Sequence, residues 1–193
     1  MRNTLAYYNT FAREFFDRTV DLKLETLHSK FLEHIPEGGH ILDFGCGSGR
    51  DAKAFLDKGY VVTAIDGSPE LAELASKYIG QVAHASQFNQ LDSHNEFDGV
   101  WANASLLHVP YDEMDDVLRR VSNAMKPGAA LFVNFKKGPD HRVDQSRDFY
   151  DMDEERVRKH FAKFFDVQEV WITDDSRPRP GAAQWVNTLC TKS

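Results

Sequence analysis

The chain has no apolar run near the ~20 residues that a membrane-crossing helix needs. Its start, Met1-Arg2-Asn3-Thr4, leads into a mixed polar and aromatic stretch, unlike an apolar leader. Cysteine is scarce: Cys46 and Cys190 are the only two, which fits small buried side chains in a reducing, cytoplasmic compartment. The eight histidines and many acids form no His-Glu-x-x-His, Cys-x-x-Cys or similar spacing, so no metal site is expected. Base is short as well, with 23 Lys and Arg against 30 Asp and Glu, and the excess of acid lies within residues 1–135. A net charge of −7 makes a poor general binder of nucleic acid, though it leaves room for one docked tRNA or nucleotide. No repeat or low-complexity segment divides the 193 residues, and one domain with an ample core is expected.

What is present is organised around residues 41–51, Ile-Leu-Asp-Phe-Gly-Cys-Gly-Ser-Gly-Arg-Asp. This reads as a buried strand, a glycine turn and the first turn of a helix. Glycines 45, 47 and 49 let a ligand approach the backbone, and the helix aims unpaired N–H groups and its positive dipole end at whatever sits there. A dinucleotide motif wants a third glycine where Arg50 stands. A phosphate loop wants a lysine after its last glycine, and none stands at that spacing. Asp43 would repel a pyrophosphate but suits a cationic ligand without phosphate. S-adenosylmethionine (SAM) is such a ligand. The Gly-x-Ser-x-Gly elbow of hydrolases fails too, since the frame around Ser48 reads Cys46-Gly47-Ser48-Gly49-Arg50.

Residues 42–49 resemble the first motif of class I SAM-dependent methyltransferases, in its Asp-x-Gly-x-Gly-x-Gly form. Val61-Val62-Thr63-Ala64-Ile65-Asp66 ends in an acid, like that family's ribose-binding strand. Residues 97–103 and 106–110 are similar to its fourth-strand motif, and residues 118–131, with Lys126-Pro127-Gly128, to the helix and turn before strand five. The likeness covers roughly residues 38–190 in the family's order, and among its members it is loosely that of small single-domain bacterial tellurite-resistance methyltransferases. The resemblance implies a Rossmann-like α/β fold: a seven-stranded, mostly parallel sheet with a terminal antiparallel hairpin and helices on both faces. It implies an N-terminal helical cap over 1–37 on a SAM-binding core over 38–193.

The patterns agree with it. Phe11, Phe15, Phe16, Val20, Leu24 and Leu27 recur at helical spacing through residues 1–35. Strands are predicted at 40–44, 60–65, 81–85, 97–102 and 130–135, and helices at 48–58, 68–80, 111–125 and 151–164. Residues 167–173 and 184–190 read as strands, and the Ser-Arg-Pro-Arg-Pro-Gly loop between them leaves no room for a helix, so they pair antiparallel.

Asp66, 21 residues past Gly45, can accept the ribose hydroxyls, with Gly67 and Ser68 in the same corner. Asp43 either orders the turn or faces the ligand's ammonium; Arg50 either binds its carboxylate or lies on the surface. Cys46 lies within the turn. By resemblance, adenine lies beside Ser86, Gln87 and Phe88, where many relatives carry an acid and this chain has none. Also by resemblance, Asn103, Ala104 and Leu106 follow strand four, where donor and acceptor meet, and Tyr7 or Tyr8 covers the pocket; packing on the sheet is the plainer role for those aromatics. His108 is the candidate general base, or else a residue that orders its loop. Tyr7, Tyr8, His108, Lys136, Arg147, Tyr150, Trp171 and Arg177 are candidates for the acceptor pocket; the bases after strand five point to an anionic acceptor or form a solvated loop, since Asp140, Asp144 and Asp148 are interleaved. The expected activity is methyl transfer to a small molecule by a monomer or homodimer. A tRNA methyltransferase and a non-catalytic SAM sensor are the rivals.

Overall fold

In a computed structural model, residues 2–175 and 183–193 are described. Arg177 and the Ser-Arg-Pro-Arg-Pro-Gly loop of the sequence reading lie outside them. The N-terminal stretch is three helices: α1 (Arg2–Thr10), α2 (Ala12–Thr19) and α3 (Glu25–Leu32). Two threonines mark the breaks. Thr10 Oγ1 donates back to the Ala6 carbonyl at 2.8 Å, and Thr19 Oγ1 to that of Phe15 at 2.8 Å. Such back-bonding competes with the helical ladder.

After it come β1 (His40–Phe44), α4 (Arg50–Leu56), β2 (Val61–Asp66) and α5 (Pro69–Ile79), then β3 (Ala83–Ala85), β4 (Phe97–Ala102), α6 (Tyr111–Ala124) and β5 (Met125–Lys136). Helix α5 starts and stops where the sequence says. Ser68 Oγ accepts from Leu71 N at 3.2 Å, Pro69 takes the first position, and Gly80 ends the helix at φ 76°. The lone surprise is a hairpin, β6 (His141–Asp144) and β7 (Arg147–Tyr150), where sequence reads as a charged loop. Its two turn residues, Gln145 and Ser146, both have positive φ, 50° and 65°. Asn-Gly usually signals this turn, and Gln-Ser does not. Then come α7 (Glu154–Phe161), capped by Asp153 at Arg156 N, and the strands β8 (Asp166–Asp174) and β9 (Gln184–Thr191).

The sheet runs β3-β2-β1-β4-β5-β9-β8. Its first five strands are parallel, and β9 lies antiparallel between β5 and β8. The parallel strands are apolar at almost every position because helices cover both faces. Leu42, Val100, Leu131 and Val133 face the side of α6 and α7, while Ile41, Trp101 and Phe132 face that of α3, α4 and α5. Helix α3 therefore belongs to the layer on the sheet: Gly99 leaves so little room that a Cβ there would come within 2.8 Å of Phe31 Cζ.

One buried carboxylate ties the layers at the carboxyl ends of the strands. Asp51 Oδ1 accepts from His28 Nε2 (2.9 Å) and Arg50 Nε (2.8 Å). Its Oδ2 accepts from Arg50 Nη2 (2.8 Å), Trp101 Nε1 (2.9 Å) and Asn103 Nδ2 (3.2 Å). Burial would raise this carboxyl; the Arg50 guanidinium and the His28 hydrogen bond overcome it and hold the acid well below the usual range. The chain of polar groups continues through Asn103 Oδ1 to Asn134 Nδ2 (2.9 Å) and on to Asn187 Oδ1 (3.3 Å). Removing one partner of a buried pair leaves the others uncompensated. Asp51→Ala should therefore cost about 3–5 kcal/mol, read as a lower urea midpoint with an unchanged slope.

Candidate functional site

Strand β1 ends in the glycine turn, which is tied down from below. Gly45 N and Cys46 N both donate to the Ile65 carbonyl of β2, at 2.9 and 2.8 Å. Asp43 lies under the turn, and its Oδ2 accepts from Ala52 N at 3.0 Å, in the first turn of α4. Burial and the nearby Asp51 charge push the Asp43 carboxyl well up. It is thus a cap for α4 delivered from the neighbouring strand. Gly49 has φ 77°, and a Cβ there would stand 2.9 Å from Ile79 Cγ2, so this glycine serves the contact between α4 and α5.

Asp66, at the end of β2, bridges two loops. Its Oδ2 accepts from Gly47 N and its Oδ1 from Ser68 N, each at 2.8 Å. Burial pushes its carboxyl up, against those two donors. Beside it opens a cavity with about 620 Å³ of free space, part of it open to solvent. Gly45, Gly47, Asp66, Gly67, Gln87, Phe88, Ala104, Tyr8 and His108 line it, all named from sequence. Thr4, Leu5, Phe15, Leu71 and Ser105 line it too. Phe15 gave a signal as part of the apolar stripe; Thr4 and Leu5 gave none, because a wall contributed by a distant helix has no local motif, while Leu71 and Ser105 stand within or beside the predicted segments.

Helices α1 and α2 form that wall. A Cβ on Gly67 would stand 2.8 Å from Leu5 Cδ2, and one on Gly47 would stand 3.1 Å from Phe15 Cε1. The two helices therefore sit directly on the turn. Tyr8 faces inward, while Tyr7 lies outside, 4.8 Å from Phe11 and under the Arg147 guanidinium at 4.4 Å. Ala104 holds φ 53°, with its N–H bound to Asn134 Oδ1 at 2.7 Å. A strained non-glycine residue in a cavity wall is kept only where its surroundings impose it.

Several predicted residues stand elsewhere. Arg50 is committed to Asp51, Ser68 to the cap of α5, and Asn103 to the polar chain. Leu106 is core, Cys46 is buried in the turn, and Ser86 only bonds the Asp66 carbonyl through its N–H. Lys136 pairs with Asp175 at 2.6 Å under the Trp185 ring. Tyr150 stacks on His141, and Trp171 carries Lys30 at 4.8 Å. The bases expected to meet an anionic acceptor thus do not reach this cavity. Among the described residues, no group of three or more His, Cys, Asp or Glu could hold a metal, and no helix is long and apolar enough to cross a membrane.

His108 lines the same cavity. Its Nδ1 lies 2.6 Å from the Asp148 carbonyl, which can only accept, so Nδ1 carries the proton. Nε2 then accepts from the Tyr8 hydroxyl at 2.9 Å. Burial, with the Arg147 charge adding to it, lowers this histidine to about 4, against the Asp148 carbonyl. Above pH 6.5 it is neutral folded and unfolded; below, the unfolded chain takes up the proton first. Stability from this group is therefore full above pH 6.5 and declines as pH falls towards about 4, by up to roughly 3 kcal/mol. In urea unfolding at a series of pH values, His108→Gln should flatten that decline.

A family described as methyltransferase domain matches residues 16–170. Over 123 residues, the chain is 31% identical to a ubiquinone biosynthesis O-methyltransferase of Xanthomonas axonopodis, covering 58% of this chain and 51% of that protein. The chain spans about half the length of the curated relatives it matches. In fold it is similar to the 1,6-didemethyltoxoflavin-N1-methyltransferase of Burkholderia thailandensis, with a TM-score of 0.82 at 22% identity, covering 100% of this chain and 88% of that one. It is likewise similar to a TehB-like SAM-dependent methyltransferase from Corynebacterium glutamicum, with a TM-score of 0.73 at 15% identity, covering 97% and 99%. The sheet order, the glycine turn and the profile match over most of the chain agree, and the chain belongs to the methyltransferase-domain family.

Proposed function

We propose that the cavity seats SAM and that the protein passes its methyl group to a small molecule. One observation carries this reading: among the described residues, Asp66 is the only Asp, Glu, Lys or Arg that lines the cavity. A pyrophosphate would meet a carboxylate there and no base. A cationic nucleoside without phosphate meets a counter-charge and an acceptor for its sugar hydroxyls. When bound, SAM supplies a methyl group activated on a sulfonium, which the acceptor displaces in line.

The protein's own residues then hold and align. Asp66 uses one lone pair per oxygen on Gly47 and Ser68, and its remaining lone pairs are open to ribose. Phe88 and Gln87 hold the base edge, with Phe88 braced edge-on by Phe44 at 4.8 Å. The wall of α1 and α2 covers the glycine turn at Gly47 and the corner at Gly67, and alignment of donor and acceptor is worth ~7–11 kcal/mol. We read α1 and α2 as the cap and the remainder as the core, in one domain. The name of the Burkholderia neighbour refers to a small heterocycle, and that of the Xanthomonas relative to ubiquinone biosynthesis. Both favour a small-molecule acceptor over RNA, as does the acidic balance of the chain.

Calorimetry with S-adenosylhomocysteine (SAH) tests the seat. The wild-type protein should bind it, and Asp66→Ala should weaken binding about 10- to 100-fold, since hydrogen bonds to a charged group contribute ~1.5–3 kcal/mol. Equal affinity in the two proteins would remove the ribose assignment.

A further inference from the structure

The cavity wall holds a pair whose polarity is fixed. The Asp148 carbonyl takes the Nδ1 proton of His108, so Nε2 has only a lone pair to offer, and the Tyr8 hydroxyl spends its proton on it. What Tyr8 shows the cavity is therefore an oxygen lone pair. The pair is held from both sides. Thr4 Oγ1, one turn before Tyr8 on α1, accepts from Asp148 N at 2.9 Å, and Phe149 packs on the imidazole with centroids 4.8 Å apart. Burial pushes the Tyr8 phenol up, so it keeps its proton to donate, and the Arg147 guanidinium, 5.9 Å from its ring, opposes that push. Among the described residues no lysine or arginine lines the cavity, while the rings of Tyr8, Phe15 and Phe88 do.

Resting on the SAM reading above, we propose that Tyr8 and His108 form a proton relay, and that the acceptor is a flat, uncharged molecule presenting an O–H or ring N–H to Tyr8 Oη. The acceptor heteroatom forms its bond to the methyl carbon, and the carbon–sulfur pair leaves with sulfur. The acceptor proton moves to Tyr8 Oη as the tyrosine proton moves to His108 Nε2. The pair ends as neutral tyrosine and imidazolium. The positive charge lost at sulfur thus reappears on the histidine, which returns its proton to water after the product leaves. An anionic acceptor has no proton for this relay and no cation in the wall to meet it. His108 touches the chemistry through Tyr8, so Tyr8 is the catalytic residue of the two and His108 the positioning base behind it.

The test uses full-length protein, radiolabelled SAM and the protein-free small-molecule fraction of a cell extract. Tyr8→Phe and His108→Gln should each lower label transfer about 100-fold, the low end for a lost acid–base group, while SAH affinity by calorimetry stays within about twofold. A second readout is ¹⁵N NMR of labelled histidine in the SAH complex. Nε2 of His108 should be unprotonated in the wild type and lose its hydrogen-bond shift in Tyr8→Phe. Wild-type transfer by Tyr8→Phe overturns the relay. So does a fall in SAH affinity that matches the fall in transfer, because Tyr8 would then only close the pocket. A protonated Nε2, or SAH binding without any transfer by the wild type, also overturns it. Absence of SAH binding by the wild type instead removes the SAM reading itself.

Discussion

The structure depends on one buried carboxylate. Asp51 collects donors from α3, α4, β4 and the loop beyond β4, and so fixes how the glycine turn meets the segment carrying Ala104 and His108. Both segments line the cavity, and they pack against each other at Gly45 and Ser105. A lone buried charge would be prohibitive; this one is tolerated because Arg50 supplies a fork of two hydrogen bonds and three further donors share the remaining two lone pairs. Geometry of this kind is directional, so the distance between the two segments follows from it. The amide chain from Asn103 through Asn134 to Asn187 carries the same stiffness across to β9, and an Asn134 oxygen at its middle holds Ala104 in its left-handed conformation.

The motif reads as a ligand site, yet much of its composition serves the protein. Asp43 works on α4, Gly49 makes room for α5, and Gly47 and Gly67 make room for Phe15 and Leu5 as well as for a ligand. The described residues left facing the cavity are aromatic rings, glycines, small polar and aliphatic side chains, one acid and one neutral histidine.

Most of the fold was legible because its signals are local. Buried parallel strands read as unbroken apolar runs, Ser68-Pro69 and Gly80 bracket α5, and the short gap after β8 forces antiparallel pairing. The Asp66 and Gly45–Gly47 corner was legible for the same reason, since a turn and the acid one strand away are fixed by spacing. What was not legible comes from contacts distant in sequence. Nothing around Thr4 or Leu5 shows that α1 lies on Gly67, and nothing around Lys136 shows that it is bound to Asp175. Arg50 was read as facing either ligand or water; it faces its own neighbour, a choice set by Trp101 and His28 bringing Asp51 inward. The β6–β7 hairpin was missed because Gln145 and Ser146 adopt a turn that glycine usually marks.

The strand order has a consequence for synthesis. Strand β9 is made after β8 yet lies inside the sheet, between β5 and β8. Until residues 184–191 emerge from the ribosome, the β5 backbone has no neighbour on one side and β8 has no place in the sheet at all. A nascent chain halted before that point exposes the open edge of an apolar, twelve-residue strand, the kind of surface that recruits other strands. Strand β9 is therefore a closing stitch, and the interval between translating β5 and β9 leaves that edge open.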